Sequence, residues 1–399
     1  MTSYERHELR YQRRKAAREA KRKERLNEAL DFNKVFTFSH MYQSAKLCFK
    51  GVSWKASVQA FKARCGINVA RRLRELRNGI CKLRKCPEFE IRERGHIRRI
   101  NSIHIDDRIP QKCNSKYSLK PVLHRTLVYD NYASQEGKGT DKARRRLKCK
   151  LERHIRKYGM TGGMIIFDLR HFFDSIQHKL VRWVMERNYD DKWIIGFNMK
   201  VVRQCRKDVG LILGSENSQD FAISTPSSLD HYIAEVLRTE ASGRYMDDGV
   251  IIDPNFERLK GVWGKIKAFA ARLGLTLNEK KSRLIRFGKQ FTFLQRKYDF
   301  TETGHIIIRP ARASVVRERR KLKKLAGKFL RGELPFSTCS NSVGAWKASI
   351  AGTKCEKIKD SIDKLFDRLL ITPWLVGEET RPCSTKSYQA GRSSTFATA

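Results

Sequence analysis

The sequence has no long apolar run and little negative charge. No stretch approaches the roughly 18 apolar residues of a membrane-spanning helix, and no signal peptide opens the chain, so we expect a cytoplasmic protein without a membrane partner. Asp and Glu number 42 against 84 Lys and Arg, which gives a net charge of +42. A surface this basic needs a polyanion to offset its self-repulsion, and nucleic acid is the first candidate.

Several signatures of metal and nucleotide sites are also missing. The ten cysteines include no CxxC pair, which argues against zinc and favours reduced, mostly buried thiols. The glycines in SQEGKGTDKA lack the spacing of a Walker loop, and no repeat of fixed period is visible. At 399 residues and 40% hydrophobic, the chain can fill the cores of two or three domains.

Helical periodicity and basic residues dominate both ends of the chain. The first thirty residues predict a basic helix, and the helical pattern continues to about residue 99. The segment IRRINSIHIDDRIP alternates enough to predict strands. Beyond the short strands predicted near residue 300, the chain is again helical and basic to about Leu370. The Ser/Thr-rich C-terminus has no periodicity and predicts a flexible tail.

The segment GRYMDDGVIID places two aspartates side by side. Asp248-Gly249 favours a type I′ turn between strands at 244–246 and 250–252, which would put Asp247 and Asp248 on an exposed tip. Turn chemistry accounts for an Asp before Gly. It does not account for the second aspartate, because adjacent carboxylates repel each other unless a cation neutralises them.

A further aspartate ends another predicted strand. In MIIFDLRHFFDSI, Asp168 follows a short buried strand, whereas the start of the following helix accounts for Asp174. Two strands that each deliver a carboxylate to one place suit a two-metal phosphoryl-transfer site. Mg²⁺ would be the metal, with one ion activating the 3′-hydroxyl and the other holding the leaving pyrophosphate.

Three segments together resemble a known family. FDLRHFFDSI, GLILGSENSQ and RYMDDGVII, in this order, resemble motifs A, B and C of reverse transcriptases. DDRIP and YASQEGKGTDKA resemble the fingers motifs upstream, and LTLNEKKS and FTFLQRKY resemble motif D and the start of the thumb downstream. The resemblance covers about Ile100 to Arg309, and more loosely the helical thumb to about Leu370.

The resemblance implies an α+β fold, a right-hand polymerase with fingers, a palm of antiparallel sheet and helices, and a helical thumb. The expected domains are a basic helical N-terminal extension with the start of the fingers at 1–99, fingers at 100–160, palm at 161–290, thumb at 291–372 and a flexible tail at 373–399. The implied activity is RNA-directed synthesis of DNA from dNTPs. Its cofactor would be Mg²⁺.

The resemblance also implies a set of metal ligands. Asp168 and Asp247 would be the principal ligands, with Asp248 beside them and the backbone carbonyl of Leu169 completing the shell. Lys281 would donate a proton to the leaving pyrophosphate, with Lys280 as the alternative if the register differs by one.

Other residues would surround the incoming nucleotide. Phe173 would lie under the sugar and exclude a 2′-hydroxyl, although an ordinary core Phe is the alternative. Arg108 would grip the triphosphate, and Gln219 would help to hold nucleotide and template. Gly214 would let the backbone approach the substrate. Tyr245 would pack near the primer terminus, with an ordinary strand residue as the alternative.

Details favour a bacterial lineage over a retroviral one. The GxxxGxxxSQ form of motif B and the GKGTDKA segment resemble the group that includes group II intron, diversity-generating retroelement and defence-associated enzymes. The long basic N-terminus favours the defence-associated or unclassified group, working in anti-phage defence with a dedicated non-coding RNA as template and with DNA as product. A diversity-generating retroelement enzyme, a maturase-like RNA chaperone and synthesis primed from a tail hydroxyl such as that of Tyr388 remain alternatives. An accessory protein or a homo-oligomer also remains open.

Overall fold

The computed structural model describes residues 3–93 and 96–373. The chain divides into two compact units, the first formed by Met1–Lys289 with Phe300–Ile306 and the second by Gln290–Asp299 with Ile307–Ala399. The predicted flexible tail from residue 374 onward, with Tyr388, lies outside the described residues. Within the described ranges, no helix combines the length and the apolar character needed to cross a membrane.

The first unit contains fourteen described α-helices, two short π-helices, one 3₁₀ turn and six described strands. The helices are α1 Ser3–Ala29, α2 Phe32–Val35, α3 Phe38–Phe49, α4 Ala56–Ala63, α5 Cys65–Arg77, α6 Ile105–Asn114, α7 Lys120–Leu123, α8 Thr140–Tyr158, α9 Phe172–Ser175, α10 His178–Asn188, α11 Lys192–Arg203, α12 Glu216–Ser224, α13 Ser227–His231 and α14 Phe256–Arg272. The strands are β1 Glu88–Glu93, β2 His96–Asn101, β3 Gly163–Asp168, β4 Ala241–Tyr245, β5 Asp248–Asp253 and β6 Arg283–Arg286.

A four-stranded antiparallel sheet lies at the centre of the first unit, in the order β4-β5-β3-β6. The middle strands β3 and β5 are apolar and almost wholly buried, as expected for strands covered on both faces. Ile165 pairs with Ile251 in their register and belongs to the main core. The predicted MIIF strand is therefore confirmed.

The segment from 97 to 110 is only half strand. β2 pairs with β1 and ends at Asn101, and α6 begins at Ile105, so the strand predicted over DDRIP is wrong. His104 caps α6 by accepting a hydrogen bond from the Asp106 N–H. Asp107 is buried, accepts from the Arg72 guanidinium at 2.8 Å and also accepts the Arg84 N–H. Long-range ion pairs thus fix a helix that the local alternation concealed.

The second unit combines a small sheet with a helical core. Its strands, in the order β7-β8-β9, are β7 Phe291–Phe293, β8 Arg296–Phe300 and β9 Ile306–Pro310. Its helices are α15 Arg312–Leu330, α16 Phe336–Ser349 and α17 Glu356–Phe366. Leu322, Cys339 and Ile362, one from each helix, are fully buried in a common cluster. Helices and antiparallel sheets in both units confirm the predicted α+β class.

The cysteines of the described residues are all free thiols. Five are buried, namely Cys48, Cys81, Cys113, Cys339 and Cys355. Cys149 is exposed, and the other three are half-buried.

Candidate active site

The turn of the β4–β5 hairpin lies two residues earlier than predicted. Tyr245 pairs with Asp248, so the two turn residues are Met246 and Asp247, and Met246 adopts a left-handed φ of 54°. Asp248 lies in β5, directly opposite Asp168 at the end of β3. The Leu169 N–H donates to the Asp247 carbonyl at 3.0 Å. The hairpin therefore brings all three aspartates to one end of the sheet.

Gly249 makes room for an aromatic ring. It sits inside β5, and a Cβ built there would lie 2.1 Å from Cζ of Phe167 on the neighbouring strand. The type I′ turn predicted at Asp248-Gly249 is therefore wrong. Close approach of a side chain, the second common reason for glycine in a strand, determines this position.

A buried arginine, Arg244, forms hydrogen bonds that hold the turn. Arg244 is 2% exposed, and its Nε and Nη2 donate to the Asp230 carboxylate at 2.8 Å each. Its Nη1 donates to the Met246 carbonyl at 2.7 Å and its Nη2 to the Ile223 carbonyl at 2.8 Å. Sequence reasoning did not single out Arg244, although a charged residue within an otherwise buried strand pattern was the available signal.

The loop of the NEKKS segment wraps around Asp168. Asn278 Nδ2 donates to Oδ1 of Asp168 at 2.9 Å, and Lys281 Nζ donates to Oδ2 at 2.8 Å. Main-chain contacts fix the same pair of segments, since the Asn278 N–H donates to the Asp168 carbonyl at 2.7 Å and the Ser282 hydroxyl contacts the Asp168 N–H at 3.2 Å. Of the two lysines considered from sequence, the structure places Lys281 on the aspartate.

Negative charge is concentrated at Asp247 and Asp248. Burial and the charge of Asp247 and Asp168 raise the pKa of Asp248 to about 7. Burial and the charge of Asp168 also raise the pKa of Asp247, against the opposing effect of Lys281 and Arg98. Among the described residues, no Lys, Arg or His lies within ion-pair distance of either carboxylate. A cation at this place would relieve the repulsion.

A cavity of about 940 Å³ opens beside the aspartates. Six of the residues selected from sequence lie on its wall: Asp168, Leu169, Phe173, Gln219, Asp247 and Lys281. Phe173 is half-buried, meets the ring of Phe172 edge-on with centroids 5.8 Å apart, and accepts the Leu211 N–H on its carbonyl at 2.7 Å. The cavity wall therefore combines carboxylates, an ammonium group, an aromatic ring and an amide.

Four other selected residues, namely Asp248 in β5 and three more, are not on the wall. Arg108 is exposed on α6. Gly214 has a φ of 112°, and a Cβ there would lie 2.8 Å from the Asn101 carbonyl oxygen. The absence of a side chain therefore allows close contact with the end of β2. Tyr245 packs against the small cluster that contains Leu127 and Ile223. These contacts provide reasons within the protein for Gly214 and Tyr245.

The structure brings Arg98 to the cavity. Arg98 lies on β2, lines the cavity wall and lowers the pKa of Asp247 by its charge. Its own ion-pair partner is Glu93, at 3.1 Å on the paired strand. Sequence reasoning passed over Arg98 because it lies in a run of several arginines, where no single one stands out.

The carboxylate oxygens at this end of the sheet are suitable ligands for a hard cation. Carboxylate oxygens are the ligands that Mg²⁺ prefers. In the part of the chain that is described, however, no three His, Cys, Asp or Glu side chains already form a metal-binding group. Both carboxylate oxygens of Asp168 accept hydrogen bonds from Asn278 and Lys281.

A basic groove lies within the second unit, between α15 and α17. Its volume is about 890 Å³. Its wall carries six cationic side chains and one carboxylate, with Arg319, Arg320, Lys323, Lys357, Lys364 and Arg368 opposed only by Asp360. We call this feature the unit 2 groove. Its charge suits a polyanion.

Comparison with known proteins gives one match. A family model described as reverse transcriptase (RNA-dependent DNA polymerase) matches residues 85–306, which is more than half of the 399-residue chain. No curated protein matches the chain. The matched range contains the aspartates, the cavity and the four-stranded sheet. The chain therefore belongs to the reverse transcriptase family and is an RNA-directed DNA polymerase, a nucleotidyltransferase.

Proposed function

We propose that the cavity beside Asp168 and Asp247 is the polymerase active site, where an RNA template is copied into DNA from dNTPs. The observation that carries the proposal is the meeting of Asp168, Asp247 and Lys281 with Phe173 and Gln219 on one cavity wall. These side chains come from four separate segments of the chain. A structural role would not require them to line the same cavity.

Asp168, Asp247 and Asp248 would hold Mg²⁺, with the Leu169 carbonyl beside them. Bound there, Mg²⁺ would lower the pKa of the attacking 3′-hydroxyl and stabilise charge on the leaving pyrophosphate by a two-metal mechanism. The excess of negative charge at Asp247 and Asp248 supports this assignment. Lys281 neutralises Asp168 in the structure described here and would have to release that carboxylate.

The remaining wall residues position the nucleotide and move a proton. The half-buried Phe173 ring would lie under the sugar and exclude a 2′-hydroxyl, and the exposed Gln219 amide would hold the base pair. The hydrogen bond to Asp168 raises the pKa of Lys281, and once released from Asp168 the ammonium group would donate a proton to pyrophosphate.

For the triphosphate we propose Arg98 in place of Arg108. Arg98 is on the cavity wall near Asp247, whereas Arg108 is on an exposed face of α6 and outside the wall. A guanidinium group binds phosphate oxygens in bidentate fashion. Arg98→Ala should raise the KM for dNTP at least tenfold, and Arg108→Ala, a matched loss of one exposed arginine, should leave it within about twofold. The reverse result would restore the assignment predicted from sequence.

Primer extension on an RNA template with Mg²⁺ and dNTPs tests the central proposal. The double variant Asp247→Ala, Asp248→Ala should lose synthesis. The chain offers a matched control in a second Tyr-Asp-Asp run, Tyr189–Asp191, in which Asp190 is exposed and outside the cavity. Asp190→Ala should retain full activity. Synthesis by the double variant would show that the catalytic assignment is wrong.

Phe173→Ala provides a separate test of the sugar gate. Removal of the ring should allow incorporation of rNTPs, measured as the ratio of kcat/KM for dNTP to that for rNTP. Unchanged sugar selectivity would return Phe173 to the role of a core residue.

For the biological role we propose a defence-associated or unclassified bacterial lineage, acting in the cytoplasm with a dedicated non-coding RNA. The motif B form GxxxGxxxSQ, the basic helix α1 and the net charge of +42 support this proposal. Sequencing of the nucleic acid that co-purifies with the chain would identify template, product and priming together. Recovery of a variable-repeat template would favour a diversity-generating retroelement instead.

A further inference from the structure

An exposed tyrosine in the first unit is surrounded by positive charge. Tyr129 is 63% exposed, and three cationic groups lie over its ring: Lys138 Nζ at 5.4 Å, Lys142 Nζ at 5.8 Å and Arg146 Cζ at 5.3 Å from the centroid. We call these four residues the Tyr129 cluster. Among the described residues no other ring has three such cations; Phe256 has two.

The cluster is not explained by local stability. One cation over an exposed ring contributes about 0.5–1 kcal/mol, and further cations add mutual repulsion. Burial and the neighbouring Lys142 lower the pKa of Lys138. Lys138 donates to the Tyr129 and Asn131 carbonyls at 2.8 Å each, and Lys142 contacts the Gly137 carbonyl at 3.4 Å. Within the described chain, neither lysine has a carboxylate at ion-pair distance, so both charges are available to an anion.

Tyr129 and Arg146 of the cluster line a cavity of about 390 Å³, whereas Lys138 and Lys142 lie outside its wall. One wall is a basic face of α8, where Arg146, Cys149, Lys150 and Arg153 recur at helical spacing. The opposite wall includes residues 239–242 at the start of β4. Asp130 also lines the cavity and pairs with Lys150 at 2.6 Å and with Arg146 at 3.2 Å, which fixes this part of the wall.

The occupant that fits these features is a strand of nucleic acid with unpaired bases. An exposed aromatic face stacks on any base, and flanking lysines and arginines bind the phosphates on either side. In a double helix the bases are stacked on each other and expose only their edges, so no base face could stack on the Tyr129 ring. The cavity adjoins Ala241, four residues before Tyr245 at the hairpin turn, which is about 13 Å along the strand. This is a place distinct from the polymerase cavity.

We propose that the Tyr129 cluster is a second nucleic-acid site, which stacks one unpaired base on the tyrosine ring and holds the adjacent phosphates with its cations. The inference rests on the proposed function only in taking nucleic acid as the polyanion. The site would lie beside the edge strand β4 and would hold single-stranded nucleic acid away from the proposed active site.

Photo-crosslinking tests the site without relying on synthesis. The full chain carrying Asp247→Ala and Asp248→Ala is mixed with a short oligouridine that contains one 5-iodouridine, irradiated and mapped by mass spectrometry. The crosslink should map to Tyr129. It should persist in Tyr129→Phe, which keeps the stacking face. A crosslink found only elsewhere would overturn the proposal.

Binding of the same oligomer, followed by fluorescence anisotropy, provides the second measurement. Tyr129→Ala should weaken binding about 5- to 150-fold, as loss of one stacked base does. Lys138→Ala with Lys142→Ala should reduce the slope of log K against log salt by about 1.4, because each phosphate contact on a single strand contributes about 0.7. Unchanged affinity and slope in these variants would overturn the proposal even if the crosslink were weak.

Controls separate the site from general basicity. Trp54 is 73% exposed with one cation, Lys55, at 5.6 Å, and Trp54→Ala should bind as the parent does. Equal crosslinking of Tyr129 to a duplex or to free 5-iodouridine triphosphate would refute single-strand recognition. RNA and DNA oligomers are compared. Binding of either oligomer at Tyr129 supports the site and shows which type of nucleic acid it prefers. Failure of these binding tests would not bear on the proposed active site, which is tested separately by primer extension with Asp247 and Asp248 intact.

Discussion

The ion pair between Arg244 and Asp230 gives the sharpest prediction about stability. Both side chains are almost fully buried, at 2% and 6% exposure, and Arg244 also donates to the carbonyls of Met246 and Ile223. Arg244→Met would leave a buried carboxylate without a cation, which costs about 3–5 kcal/mol. The loss should appear first in β4 and β5, because Arg244 joins this hairpin to α13.

Hydrogen exchange measured by mass spectrometry on peptides covering 241–253 would report this loss. Since about 1.4 kcal/mol corresponds to a factor of ten, protection should fall about 100- to 4000-fold. The double variant Arg244→Met, Asp230→Leu removes both charges and should recover most of the protection, because an apolar pair of similar volume tolerates burial. A loss in Arg244→Met below about 1 kcal/mol, or a double variant as unstable as the single one, would refute the reasoning.

The same variants separate stability from positioning. In the double variant the Met246 carbonyl still lacks the hydrogen bond that Arg244 Nη1 provides at 2.7 Å. We therefore expect stability to recover while the rate of primer extension stays low. Full recovery of both would show that the contact with Met246 does not position the turn.

Three further changes test other parts of the fold. Gly249→Ala should destabilise the chain by about 1–3 kcal/mol in thermal or urea unfolding, because its Cβ would overlap Phe167, and the penalty should shrink in a Phe167→Leu background. The hydrogen bond from Cys86 lowers the pKa of Cys205 to about 7, so Cys205 should be alkylated with a midpoint near that pH. Cys86→Ala should move this midpoint up toward about 8.5, and an unchanged profile would contradict the pairing. In the unit 2 groove, Lys323→Ala should lower the salt slope of nucleic-acid binding by about 0.7–0.9, and no change would exclude a phosphate contact there.

Sequence periodicity was sufficient where local pattern and burial agree. The apolar run of β3 and the basic helix α1 were predictable, because each depends on residues close together in sequence. The aspartates could be placed at one end of a sheet for the same reason. The end of a strand can be detected where the run of apolar side chains stops, as it does at Asp168.

The details that failed depend on long-range partners. The turn moved to Met246 because Phe167, on another strand, occupies the space above Gly249. The DDRIP segment became helical because Asp107 is buried against Arg72, more than thirty residues earlier. Neither partner is detectable from the local pattern. Arg98 was missed for a similar reason, since only the fold distinguishes it from neighbouring arginines by bringing it to the cavity.

The excess of positive charge in the chain makes adjacent carboxylates without a cationic partner unusual. In a chain with a net charge of +42, the buried aspartates Asp230 and Asp107 pair with Arg244 and Arg72, whereas buried Glu318 has no ion pair among the described residues. Asp247 and Asp248 are half-buried and, among the described residues, have no such partner at ion-pair distance. Folding alone would favour a nearby lysine or arginine, as adjacent carboxylates repel. The lack of such a partner supports the proposal that a metal ion binds between these carboxylates.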